Sequence, residues 1–171
     1  CLTIWDSYDQ KYYTWYWRKN PVLMGGDTNW NIDWSDTERH MFKKVLQFIK
    51  VRNPDVVTGY NVDYDLVVIR KRVTRLLLGQ EWDSILPMQG DGTPEQHYPM
   101  PPPRDRRKKF RDFWVTSKHQ KIPGRNVVDL LEIILKVEQH QLPSYKLDYV
   151  AKHYLEPSRG KLTFEGKPIA P

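Results

Sequence analysis

Cysteine is almost missing from this sequence: Cys1 is the single one among 171 residues. One thiol closes no disulfide within the chain and builds no cysteine-based zinc cluster, which excludes the disulfide-scaffold class and fits a reducing compartment. The histidines His40, His97, His119, His140 and His153 are scattered, with no spacing that suits a metal. No apolar run approaches the roughly 18 residues of a membrane helix, and nothing resembles a secretion signal. A glycine-rich phosphate loop is missing too, as is any recognisable Ser-His-Asp arrangement. These absences predict a cytoplasmic protein. A chain of this length fits one domain and can bury about 70% of the surface it exposes when unfolded, so it needs no staples.

What the chain does have is charge gathered in one place. Lys and Arg outnumber Asp and Glu by 27 to 21, but nine basic residues lie between Arg104 and Arg125 against only Asp105 and Asp112. Such a concentration suits a polyanion-binding surface, with a solvated charged loop as the plainer alternative.

Leu2 and Ile4, then Tyr12 to Trp17, flank the polar stretch DSYDQK, which predicts a β-hairpin. Aromatics on both of its faces place it in a sheet covered on both sides. NPVLMGGDTNWNID predicts a loop. Ser35 with Glu38 three residues on reads as a capping box ahead of Met41, Val45, Phe48 and Ile49, predicting a helix over 36–51. PDVVTGY reads as a short buried strand. Leu66, Ile69, Val73, Leu76 and Leu77 predict a helix from Tyr64 or Asp65 to a stop at Gly79. An irregular basic insertion is expected over about 80–124, ending in a ribbon around SKHQ. NVVDLLEIILKVEQ predicts strand into helix, LPSYKLDYVAKHYL a helix capped by Ser144, and the tail a short hairpin. Alternating strands and helices predict an α/β domain.

Asp63 and Asp65 stand just past the PDVVTGY strand. Carboxylates there gain from the helix dipole and sit where α/β sheets place ligands. An ordinary helix start, capped by Asp63 or Asn61, accounts for the same spacing. Asp129 reads as a local cap or hydrogen-bonding group.

DVVTGYNVDYDLVVIRKR resembles the second exonuclease motif of family B DNA polymerases, a strand ending in a Gly-aromatic-Asn turn followed by an aromatic–Asp pair that opens a helix. Asn61, Tyr64 and Asp65 match it. LTIWDSYDQKYYTWYW is similar to the strand pair after the first motif, GRNVVDLLEIILKVEQHQLPSYKLDYVAKHYL to the segment joining the second and third, and GKLTFEGKPIAP to the hairpin after it. Order and spacing most resemble the replicative polymerases of T-even-like phages.

The resemblance implies a ribonuclease H-like fold, a mixed central sheet flanked by helices, and 3′→5′ removal of misincorporated nucleotides by two-metal hydrolysis. It assigns Asp65 as catalytic residue and metal ligand for Mg2+ or Mn2+, which prefer several oxygen ligands drawn from separate segments. It sets Arg107, Lys108, Lys109, Arg111, Phe113, Lys118 and Lys121, with Asn61 and Tyr64, against DNA as a nucleic-acid-binding set. The partners it implies are a single-stranded 3′ end and the polymerase domain of the same parent protein. Neither the Asp-x-Glu of the first motif nor the Tyr and Asp of the third occurs at a matching place, and Asp148 is not assigned to catalysis. The chain is therefore expected to be a partial exonuclease domain over 1–171, weak as a nuclease alone and able to self-associate through an open sheet edge. The alternative is a catalytically silent module that binds single-stranded DNA or a replisome protein.

Overall fold

In the computed structural model, the described residues are 1–17, 29–86, 100–110, 113–139, 141–155, 163–164 and 167–168. Strands β1 (Leu2–Asp6) and β2 (Lys11–Trp17) pair antiparallel, as the aromatic pattern predicts. The stretch expected to be a loop instead ends in β3 (Trp30–Ser35), which runs parallel to β2. Alternation of Trp30, Ile32 and Trp34 was its sequence signal, hidden beside a glycine-rich segment.

Helix α1 (Glu38–Arg52) starts on Thr37, whose side-chain oxygen accepts the His40 N–H, and not on Ser35, the last residue of β3. The expected capping box is thus replaced by a one-sided cap. Glu38 turns away to accept from Arg72 (Nε, 2.8 Å). Met41, Phe42, Val45 and Leu46 bury one face of α1, each full burial contributing about 2 kcal/mol.

Strand β4 (Val56–Gly59) leads through Tyr60 and Asn61 into α2 (Val62–Arg75), which begins earlier than its apolar spacing indicates. It also ends earlier: Leu76 caps it, Leu77 takes a left-handed conformation, and Gly79 opens the short α3 (Gly79–Asp83) where a stop was expected. Part of the expected irregular insertion is regular. Strands β5 (Arg104–Phe110) and β6 (Phe113–His119) form an antiparallel ribbon in register from Arg104 opposite His119 to Phe110 opposite Phe113. Ser117, Lys118 and His119 therefore lie inside β6 and not at its turn.

Strand β7 (Asn126–Asp129) pairs parallel with β4 and passes directly into α4 (Leu130–Val137). Helix α5 (Leu147–Tyr154) follows. Ser144 accepts the Lys146 N–H at 3.3 Å, but Lys146 occupies the cap position. Strands β8 (Thr163–Phe164) and β9 (Lys167–Pro168) form the expected terminal hairpin. Among the described residues the strands do not join one continuous sheet: β1-β2-β3 and β4-β7 are separate ladders. Both line a common core, with Leu2, Ile4 and Tyr13 from one and Val57 and Val127 from the other packed against Trp15, Val45, Leu46, Val62 and Leu66.

Arg125 is one of the nine clustered cations, but it is 8% exposed and turned inward. It donates to the carbonyls of Ile85 and Pro54 and to Asn53 Oδ1 (3.0 Å), and burial holds its pKa below the ordinary arginine value. Its charge ties loops together and does not face a polyanion.

Candidate functional site

Two parallel strands, β4 and β7, end side by side, and each hands the chain to a helix. Gly59 pairs with Asp129 at that end. Asn61 has φ 62°, the left-handed conformation that asparagine tolerates better than most residues, and this turns the chain sharply into α2. Its side chain makes no cap bond. Asp129 Oδ1 accepts the Asn61 N–H at 2.9 Å and the Leu131 N–H at 3.0 Å, so one carboxylate caps α4 and staples the entrance of α2 to it. Local hydrogen bonding at Asp129, as expected from sequence, is what the fold uses.

Asp65 lies on the exposed side of the first turn of α2. Partial burial and then the negative charge of Asp129 raise its carboxyl pKa. Tyr64, next to it, is 64% exposed. Tyr60 is instead engaged, its hydroxyl donating to the Tyr145 carbonyl.

Asp63 has the opposite surroundings. It is 2% exposed, accepts a hydrogen bond from His119 Nδ1 through Oδ1, and faces the Arg106 guanidinium at 4.0 Å through Oδ2. Arg106 also donates to Glu132 Oε2 at 3.0 Å. Carboxylate oxygens of Asp63, Asp129 and Glu132 come within 4.8 Å of one another, so three acids from two helix starts converge below the ribbon. Sequence reasoning placed Asp63 beside Asp65 at the strand end and gave it a possible capping role, but no partner. It did not single out Arg106, His119 or Glu132, whose proximity depends on the ribbon crossing α2.

The expected nucleic-acid set divides in three. Arg107 and Lys121 are exposed, and Lys118 is exposed but ion-paired with Asp105 at 2.7 Å. Lys108, Lys109 and Phe113 take their places in the ribbon backbone, with Lys108 opposite Val115 and Lys109 opposite Trp114. Arg111 lies outside the described residues. An open groove of 890 Å³ between β3 and α1, lined by Tyr13, Trp15, Lys44 and Phe48, contains none of these acids and is separate from the site. No helix among the described residues is long and apolar enough to cross a membrane.

The profile of the DNA polymerase family B exonuclease domain matches residues 25–150. The DNA-directed DNA polymerase of Enterobacteria phage T4 is 26% identical over 132 residues, 77% of this chain and 13% of the phage protein. The DNA polymerase of Pyramimonas orientalis virus is 30% identical over 128 residues, 70% of this chain and 9% of its own length. That of Escherichia phage RB69 is 24% identical over 132 residues, again 77% and 13%. The chain thus spans a small fraction of each relative.

Proposed function

Since this chain belongs to the exonuclease domain of DNA polymerase family B, we propose that it is part of a ribonuclease H-like 3′→5′ proofreading module spanning residues 1–171, with Asp65 as its metal ligand and catalytic carboxylate. The observation that supports this most is the setting of Asp65. It lies on the exposed side of α2 at the end of a parallel strand pair, with its pKa raised by partial burial and then by Asp129. A bound cation relieves that repulsion.

Asp65 offers a hard divalent ion such as Mg2+ or Mn2+ a single carboxylate. The three acids that converge within 4.8 Å of one another, Asp63, Asp129 and Glu132, do not include it, so the isolated chain should hold the ion weakly. The donor is a carboxylate, and among the described residues the ribbon engages Asp63 and Glu132 but not Asp65. Such an ion would supply Lewis-acid activation of a phosphate and of its own water. Asp65 would hold it from the start of α2, with the negative charge of Asp129 nearby. Tyr64 offers an exposed ring for the terminal base, and Arg107 and Lys121 neutralise phosphates of a single-stranded 3′ end. The polymerase domain of the parent protein is the second partner. Among the described residues β1 and β4 each keep one edge without a strand partner, which gives a route to self-association of the isolated chain.

The test is Mn2+ added to the isotopically labelled chain, read by paramagnetic broadening of amide signals. Broadening is expected around residues 61–66 and 129, lost in Asp65→Asn. In the parent polymerase, Asp65→Ala should lower Mg2+-dependent 3′→5′ degradation by about 10²-fold or more. Broadening centred elsewhere, or degradation indifferent to Asp65, returns the chain to the silent DNA-binding alternative.

A further inference from the structure

The acids that do not serve Asp65 have a separate task. Arg106 and His119 belong to different strands of the ribbon, two residues apart in register: Arg104 pairs with His119 and Arg106 with Ser117. Both reach α2, and Arg106 reaches α4 as well. His119, on β6, bonds Asp63; Arg106, on β5, spans Asp63 and Glu132. Each strand of the ribbon is therefore anchored to the same buried carboxylate, and one of them to a second helix as well.

The ribbon is further fixed at its base. Gln120, fully buried, donates to the carbonyls of Pro101 (2.9 Å) and Lys121 (2.7 Å). On the opposite face from Arg106, Arg107 is exposed. Alternation along β5 thus separates a docking cation from one turned to solvent.

We propose that Asp63 and Glu132 are positioning residues: they dock the basic ribbon, through His119 and Arg106, over the helix turn that carries Asp65, so that its outward cations meet DNA in a fixed orientation. This rests on the reading of Asp65 and the ribbon given above, but the docking itself is a property of the protein without metal or DNA. A buried and a half-buried acid with basic partners on a two-stranded ribbon suit this role because a ribbon alone is marginally stable and takes its direction from what it packs on. Fixing it beforehand removes ordering cost from DNA binding.

The experiment is a spin-label distance measurement across the dock, with labels at Arg107→Cys and Lys71→Cys in a Cys1→Ser background of the full chain. One narrow distance distribution is expected in the parent. Asp63→Asn and Arg106→Gln should each at least double its width, and Arg106→Lys, which keeps the charge but not the two-armed guanidinium, should broaden it less than Arg106→Gln. Arg106 has 45% of its side chain exposed, so the Gln variant tests the dock even where Asp63→Asn disturbs the helix; circular dichroism verifies that its fold persists. A width unchanged in both Asp63→Asn and Arg106→Gln, or equal broadening by Arg106→Lys, overturns the assignment. Neither metal nor nuclease activity enters the readout, so failure here is distinguishable from failure of the exonuclease reading.

Discussion

Asp63 and Asp65 share the first turn of α2, yet the protein treats them in opposite ways. The first is buried and meets His119 and Arg106; the second is exposed, and its pKa is raised by burial and the neighbouring charge of Asp129. Both gain alike from the helix dipole, which therefore cannot explain the contrast. The helix itself causes it: residues two apart point about 200° around the axis, so one faces the ribbon and the other faces away. A carboxylate already neutralised by the fold serves the fold. One held near a second negative charge is the better candidate for a ligand cation.

Removing each acid is the direct way to break this contrast. Asp63→Ala leaves Arg106 and His119 facing a gap and is expected to cost about 2 kcal/mol, less than a fully buried pair because Arg106 reaches solvent. Urea denaturation reads this as a lowered midpoint with the slope unchanged. A cost near zero would place the ribbon's anchorage elsewhere.

A second contrast sits one residue apart on β5. If Arg106 docks and Arg107 meets phosphate, Arg107→Gln should reduce the slope of log affinity against log salt for a single-stranded oligonucleotide by about 0.7, the loss of one phosphate contact. Arg106→Gln should weaken binding with the slope unchanged. Fluorescence anisotropy over a salt series separates the two. Equal slope changes would mean that both side chains face the DNA.

These contrasts also mark how far the sequence could be read. Local signals carried the position of most elements: the aromatic hairpin, the apolar strand β4, the helix over Met41 to Ile49 and the strand-to-helix passage at Asp129 all form where their patterns indicate. The expected burial fails, since Val56 in β4 and Trp5, Tyr12 and Trp17 in the hairpin are exposed and no second layer among the described residues covers them. Boundaries were less legible where two residues competed for one role. Ser35 and Thr37 both offer a capping oxygen, and only the pairing of β3 with β2 decides that Ser35 ends a strand. The site was half legible. Asp65, Tyr64 and Asn61 follow one another in a recognisable motif, whereas Arg106, His119 and Glu132 meet Asp63 across 43, 56 and 69 positions of sequence. Net charge misleads for the same reason: Arg125 counts as basic surface until three oxygen acceptors draw it inside.

The smallest expected effect distinguishes the two aspartates by sign. A carboxyl whose pKa is raised by folding binds its proton more tightly in the native state, so native stability falls as pH climbs from the unfolded value to the folded one. At pH below the ordinary aspartate range both states are protonated, and Asp65→Asn should leave the melting temperature unchanged. Through that range the variant should gain on the parent, and above the raised pKa of Asp65 the gain should be constant and small, because the group is partly exposed. Asp129→Asn keeps a side-chain oxygen for the Asn61 and Leu131 N–H groups while removing the charge, so it should shrink the gain seen on Asp65→Asn. Mg2+ should raise the melting temperature of the parent and not of Asp65→Asn, since the ion offsets the repulsion only where the carboxylate remains. Calorimetry across pH, with and without Mg2+, checks all three. If Asp65→Asn destabilises near neutral pH as Asp63→Ala does, the two acids are doing the same structural job and the division between them fails.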